Sequence, residues 1–379
     1  MLVEQLKSRQ LRKHETSNKK KVTHVSSGKV LSIDIGKGTI HLVVGSNKNG
    51  ILEVDSAFSI PTPEGAVKEG MILDRSALAF AINELIKESG IKVSKGIVSV
   101  KSTSIITREL TMPEVPPADI LPLILLEMEQ YLPNIAKDYR TGVTLIESQV
   151  GAGARQNKVR VFAMPDTMAE EYASLLKDCH LKPLYLDVHA NGLNKLVQRT
   201  VAANKDKVGG WDWKLAAFVD LGKELTEISI LNSEKLLFTR QVPYGSAFMD
   251  TELMRQTGTS ETALVTKKQE LVDLVRSEFV SEEARKFNDI VRPYVSRVTN
   301  EIQTVIQFYS GRVAEKRPEI IYLFGGNAHL KSLAELMEQA IGIPVRVWND
   351  TPAIHVSVKA GALDVINYVN ACAAFYRND

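Results

Sequence analysis

Two short stretches of this chain carry residues that could do chemistry on a phosphate. Residues 31–44 read LSIDIGKGTIHLVV and residues 217–231 read AFVDLGKELTEISIL: apolar residues, Asp, one apolar residue, Gly-Lys, then an alternating run. Asp34 and Asp220 each end a strand pattern, and Gly36 and Gly222 open a tight turn after which the alternation resumes. Such a turn presents a carboxylate beside bare backbone N–H groups. The N–H groups can cradle phosphate oxygens while the Asp holds Mg²⁺ through water, so Asp34 and Asp220 are the candidate metal-side residues. Two copies can grip one phosphate chain from both sides. A third stretch, LFGGN at 323–327, places paired glycines after a strand, where a flat base or a ribose can approach the backbone. Each of the three is also an ordinary structural turn when taken alone, and their order along two similar halves is what favours a shared site.

The elements that must position these turns alternate between strand and helix. Residues 30–44 read as two short strands joined through the Gly-Lys-Gly turn, and residues 76–89 as a helix with Leu78, Ala81, Ile82, Leu85 and Ile86 at helical spacing. Strand patterns at 96–110, 141–149 and 158–163 and helical ones at 120–131 and 167–179 make a compact α+β unit of about ninety residues. A helix at 187–201 and the loop VGGWDWK lead to the second turn. Then come a long helical region at 281–313 interrupted by Pro293, a buried strand ending at Gly325, a helix at 330–341 and a last one at 358–376.

Composition narrows the function classes. The 379 residues are 44% hydrophobic and 24% charged, ordinary for a soluble protein of roughly two domains, and no apolar run approaches the ~18 residues a membrane span needs. With no signal-peptide core at the start, the expected compartment is the cytoplasm. Cys179 and Cys372 have no paired spacing, which points to buried thiols. Residues 1–29 hold eight Lys or Arg against two Glu, so of a total net charge of +2 the rest of the chain carries −4. That basic segment is expected to be disordered, either simply solvated or drawn to anionic membrane. The mildly acidic remainder argues against nucleic acid as a partner.

The order of the three loops resembles the actin-like ATPase superfamily. By that resemblance the first phosphate loop comprises Asp34, Gly36, Lys37, Gly38 and Thr39, the second Asp220, Gly222, Lys223 and Thr226, and the adenosine loop Gly325, Gly326 and Asn327. Finer features are similar to one branch, the PilM proteins of type IV pilus assembly, relatives of FtsA. These are EMEQYLP at 127–133, NEIQTVIQFYSG at 300–311 and IYLFGGNAHLKSLAELMEQAIGIPVRVW at 321–348. The resemblance implies an α/β, actin-like (ribonuclease-H-like) two-lobed ATPase fold. Its first lobe spans 30–94, an inserted α+β subdomain 95–186, a return and linker 187–214, a second lobe 215–354 and a final helix 355–379 packing on the first lobe. It also implies ATP and Mg²⁺ as cofactors, Lys267 as a ribose contact, and a water-orienting role for Asp187, which read locally is a helix cap.

Two departures stand out. Lys37 and Lys223 occupy turn positions where the superfamily often has small residues, and either add charge against phosphate or point to solvent. Leu264 stands where a Glu commonly precedes the ribose Lys by three residues. His189 shows no ligand spacing and reads as a satisfied surface or core histidine. The function implied is assembly. A PilM-like protein sits on the inner face of the cell membrane and captures the short cytoplasmic N-terminal segment of a bitopic, PilN-like pilus protein, in a groove between first lobe and inserted subdomain. For MPEVPPADILPLILLEMEQYLP, at 112–133, the alternative is a helix packed into its own subdomain. Self-association as an FtsA-like filament former and a sugar-kinase-like enzyme are the other classes considered.

Overall fold

The computed structural model describes residues 28–151, 154–204, 211–276, 278, 281–312, 317–349, 351–357 and 363–376. The basic segment, up to residue 27, lies outside them. The chain divides into two compact units: residues 104–172 form one, and residues 30–103 with 173–376 form the other.

The larger unit opens with the meander β1 (Val30–Ile35), β2 (Thr39–Lys48) and β3 (Ile51–Pro61). A two-stranded ribbon, β4 (Val67–Lys68) with β5 (Met71–Ile72), leads to helix α1 (Arg75–Glu88), which starts where the Asp74 side chain accepts from the Ala77 N–H. Strand β6 (Lys95–Val100) follows. The chain then builds the smaller unit from β7 (Ile106–Pro113), α2 (Pro117–Glu129), α3 (Ile135–Asp138), β8 (Tyr139–Gly151) and β9 (Ala154–Pro165), and leaves it along α4 (Asp166–Asp178). Strand β10 (Lys182–Val188) and α5 (His189–Ala203) complete the first half.

The second half repeats the opening. A meander of β11 (Ala216–Leu221), β12 (Thr226–Leu231) and β13 (Leu236–Val242) precedes α6 (Ala247–Thr257), α7 (Glu261–Leu271) and α8 (Glu282–Arg312). Strand β14 (Ile320–Phe324), a 3-10 turn (Gly326–His329), α9 (Leu333–Ile341), β15 (Val345–Val347), β16 (Ile354–Val356) and α10 (Val365–Ala373) close the described chain.

Among the described residues the first sheet has the order β10-β6-β1-β2-β3-β16 and the second β13-β12-β11-β14-β15. In both, the meander is antiparallel and the two strands on the far side of its first strand run parallel to it. The register matches as well: Asp34 pairs with His41 and Asp220 with Glu227. Strands β1, β11 and β12 are buried along their whole length; β11 is accordingly almost continuously apolar, whereas β12 keeps its alternation and buries Thr226, Glu227 and Ser229.

The structure redraws two sequence expectations. Strands β6 and β10 pair in the first sheet, and the smaller compact unit lies between them in sequence, from Ser104 to Tyr172, inside the expected bounds of 95 and 186. Helix α8 runs through Pro293 without a break. Proline inside a helix costs about 3 kcal/mol relative to alanine; here a buried stripe of Phe287, Val291, Tyr294, Val298, Ile302, Val305 and Tyr309 favours one continuous helix over two. The last helix is described from Val365, and its expected beginning at 358 falls outside the described residues. Both cysteines are buried, which pushes each thiol up to about 12 and leaves it a packed, unreactive group at neutral pH. Within the smaller unit the antiparallel sheet β7-β9-β8 buries Met112, Val159, Val161 and Ala163 against Ile124 and Met128 of α2 and Ile135 of α3.

Candidate functional site

Sheet order explains how distant residues meet. Strands β1, β6 and β10 are parallel neighbours, so the residues at and just beyond their carboxyl ends, Asp34, Lys101 and His189, come to one edge of the first sheet. Ligand crevices in open parallel sheets lie at such ends. Asp220 on β11 and Gly325 after β14 hold the matching edge of the second sheet. A cavity of about 490 Å³ lies between these edges, a volume in the usual range for a ligand site. Asp34, Gly36, Lys37, Gly38 and Thr39 line it from one side and Asp220, Gly222 and Lys223 from the other, with Gly325, Gly326 and Asn327 at the far end.

The turns are built by close backbone approach. The Gly36 N–H donates to the Thr39 carbonyl at 2.9 Å, and a Cβ on Gly222 would come within 2.6 Å of the Leu225 carbonyl. A Cβ on Gly38 would come within 2.7 Å of the Lys223 side chain, so the two turns touch only because Gly38 has none. Neither turn lysine is free in solvent or bare toward the cavity. Lys37 Nζ donates to the Val67 carbonyl at 2.7 Å, and Lys223 Nζ to Glu261 at 2.8 Å.

The floor is a chain of buried charges. His189 Nε2 donates to Asp34 Oδ1 at 3.1 Å, while its Nδ1 lies 3.9 Å from Asp220 Oδ2. Lys101 Nζ donates to that same Asp220 oxygen at 2.5 Å, and Asn370 Nδ2 of α10 donates to it at 3.0 Å. Burial alone would raise the Asp34 carboxyl, but the charge and hydrogen bond of His189 override it and hold it below its usual value. For His189 burial works downward and Asp34 more than offsets it, so the imidazole titrates above its usual value. Burial likewise works against the Lys101 ammonium, and Asp220, Glu227 and Asp34 together raise its pKa.

Three expected site residues lie elsewhere. Asp187 does not line the cavity: its carboxylate accepts from the N–H of Val188, which caps α5, and from Asn191 Nδ2 at 2.6 Å and Lys195 Nζ at 3.0 Å on that helix. The residue that reaches the floor is His189, two positions on. Thr226 turns its hydroxyl to the Tyr244 carbonyl inside the second sheet. Lys267 points away from the cavity and pairs with Glu283, whereas Lys268 lines the cavity, bonded to Asp250 at 2.7 Å and to Asn327 Oδ1 at 3.3 Å. Helical geometry turns successive side chains by about a quarter of the circumference, so this one-residue shift decides which lysine faces the cleft. Lys101, which no motif marked, is the largest omission. Its one sequence signal is a lone cation directly after the apolar strand pattern GIVSV.

Two sheets of the same ladder, each presenting a Gly-Lys turn and an Asp to one cleft, define an actin-like, two-lobed α/β protein. The family model described as type IV pilus assembly protein PilM matches residues 32–372, and the chain belongs to that family. The structure is similar to one described as the PilM-PilN type IV pilus biogenesis complex, with TM-score 0.73 and 21% identity over 92% of this chain and 96% of that one. It is also similar to the ethanolamine utilization protein EutJ from Carboxydothermus hydrogenoformans, with TM-score 0.52 and 15% identity over 93% and 91% of the two chains. Among the described residues no helix is long and apolar enough to cross a membrane.

Proposed function

We propose that this PilM-family protein binds an adenine nucleotide in the inter-lobe cleft and, through the unit of residues 104–172, captures the short cytoplasmic segment of a bitopic, PilN-like membrane protein during pilus assembly. One observation carries the nucleotide half: both Gly-Lys turns and the Gly325-Gly326-Asn327 loop line one cavity. Backbone N–H groups at such turns suit phosphate oxygens, and paired glycines suit a base or ribose. Family membership and the likeness to a PilM structure in complex with PilN support the partner half. The smaller unit offers an apolar face for a peptide: Leu126 is 69% exposed and Tyr131 54% exposed, with the Arg108 guanidinium 4.6 Å from the Tyr131 ring centre. The buried side of the same helix, Ile124 and Met128, packs into its own unit, so the two uses expected of this segment fall on different faces. A membrane-inserted partner would hold the protein at the inner face of the membrane.

The donor set does not fit the Mg²⁺ expected beside Asp34 and Asp220. Each carboxylate already accepts from a basic side chain of the protein, His189 or Lys101. Nucleotide binding is tested by thermal unfolding with and without ATP. A ligand bound by the folded state alone adds RT ln(1 + [L]/Kd), about 2.7 kcal/mol at one hundred times Kd, and so raises the Tm. Gly326→Leu supplies the control. A Cβ there meets no atom nearer than Asn367 Oδ1 at 4.0 Å, so the backbone should accept the substitution while the leucine, at the lining of the cavity, abolishes the ATP-dependent rise. An unchanged Tm of the natural protein at millimolar ATP would sink the nucleotide reading.

A further inference from the structure

The two aspartates expected to hold a hydrated metal ion face a fixed cation instead. A magnesium ion demands near-octahedral coordination by about six oxygens, and a carboxylate that grips its water shell needs an oxygen free to accept from those waters. Asp220 Oδ2 already accepts from Lys101 Nζ and Asn370 Nδ2 and has His189 Nδ1 at 3.9 Å. Its other oxygen lies against Gly325, so close that a Cβ on that residue would come within 2.5 Å of it. Asp34 Oδ1 is taken by His189, which leaves Asp34 Oδ2 as the one oxygen of the two aspartates outside these contacts. His189, Asp220 and Glu227 do bring three ligand atoms within 4.8 Å of one another, but the Lys101 ammonium belongs to the same group of charges and holds the shared oxygen of Asp220.

We propose that Lys101, with His189 beside it, takes the place of the divalent cation, so that this cleft binds the polyphosphate of a nucleoside di- or triphosphate without metal. The inference rests on the nucleotide reading above. The position of the lysine suits the role. Its Nζ stands under the second phosphate turn, 3.3 Å from where a Cβ on Gly222 would be and 3.5 Å from the Leu225 carbonyl, and the residue lines the cavity. Gly70, at φ +77°, lies against the Lys101 carbonyl, where a Cβ would come within 2.0 Å, so the β4–β5 ribbon clamps the backbone that carries the lysine. An ammonium has three donors; Asp220 takes one and the Leu225 carbonyl a second, and a phosphate oxygen in the cavity can take the third. Held by Asp220, Glu227 and Asp34, the lysine stays protonated despite burial. The buried His189 Nδ1 has no hydrogen-bond partner, and the residue lines the same cavity. A tethered ammonium cannot leave with the nucleotide or exchange as a metal ion can.

The test compares ATP affinity of the full chain, by calorimetry, in excess EDTA and in excess MgCl₂. The expected result is a Kd that changes by less than about threefold, under 1 kcal/mol, between the two conditions. Lys101→Met keeps the length of the side chain and removes its charge. It should weaken binding in EDTA by about tenfold or more, equivalent to about 1.4 kcal/mol, and regain affinity on adding Mg²⁺. If the natural protein binds ATP only with Mg²⁺, the inference fails and the nucleotide reading stands. If it binds ATP in neither condition, both fail. Should the variant not fold, the comparison on the natural protein decides alone, and a folded variant that binds as tightly as the natural protein in EDTA overturns the assignment to Lys101.

Discussion

Gly325 shows how little freedom the site has at the scale of single residues. Its φ of +87° lies in the left-handed region, and a Cβ there would come within 2.5 Å of Asp220 Oδ1 and 3.0 Å of the Leu221 amide nitrogen. Gly325→Ala therefore meets backbone strain and a collision with the central carboxylate together. The expected loss is about 1–3 kcal/mol, the usual cost of a residue held in a sparsely populated backbone region, read as a lower urea midpoint at unchanged slope. A stability equal to that of the natural protein would show that the Asp220–Gly325 contact is loose. Gly325 was legible in the sequence, because paired glycines directly after a buried strand announce a turn. The cations of the floor were not. Lys101 and His189 each stand alone in sequence, 119 positions from Asp220 and 155 from Asp34 respectively, and nothing local separates them from ordinary polar residues. Their role exists only once β10, β6 and β1 are laid side by side.

At the scale of elements, the two opening hairpins and their turns could be read directly, since a buried strand, a Gly-Lys turn and a returning strand are all short-range patterns, whereas the third strands β3 and β13 were not read. Boundaries set by long-range pairing could not. Strands β6 and β10 look like parts of the insertion until their partners in the first sheet are known, and Pro293 looks like a break until the packing of α8 is known. The insertion carries a polar device of its own. On the sheet β7-β9-β8, Glu109 accepts from Arg160 at 2.5 Å and pairs with Lys158 at 2.7 Å; Arg160 is only 4% exposed. Burial alone would raise the Glu109 carboxyl, but the hydrogen bond from Lys158 and the charge of Arg160 hold it below its usual 4.5. A carboxylate with a depressed folded-state pKa contributes stability that is present above the unfolded value and is lost as the pH falls through the folded one. Glu109→Gln should therefore cost stability at about pH 6, and the difference from the natural protein should shrink toward about pH 3. Urea unfolding followed by far-ultraviolet circular dichroism at the two pH values measures it, and a difference that grows on acidification would contradict the assignment.

For the whole molecule, the question is whether nucleotide and partner peptide act on one equilibrium. The proposed peptide face belongs to the smaller compact unit and the cleft to the larger one, so different substitutions address the two sites. A disordered membrane-protein segment that orders on binding spends part of its contact energy on that ordering, so the isolated peptide should bind with modest affinity, and tethering at the membrane should raise its effective concentration. Arg108→Glu removes the cation over Tyr131 and should weaken capture while leaving the ATP-dependent rise in Tm intact. Gly326→Leu should abolish that rise and leave capture intact only if the sites are uncoupled. If they are coupled, linkage requires each ligand to change the affinity of the other by the same factor, typically about 5- to 150-fold in allosteric proteins. Nucleotide-linked closure of the two lobes is the expected source of such a factor, because a ligand shifts a conformational equilibrium only by its differential affinity for the two states. Titration of the cytoplasmic segment of a PilN-like protein into the full chain, with and without ATP, measures the factor from one side, and titration of ATP with and without the peptide measures it from the other. Two equal factors above one establish an assembly switch set by nucleotide, and two factors of one make the nucleotide a structural ligand of the lobes. A peptide that binds in neither condition, on a protein that ATP still stabilises, removes peptide capture from the proposed function and leaves the filament-forming alternative to be tested by sedimentation.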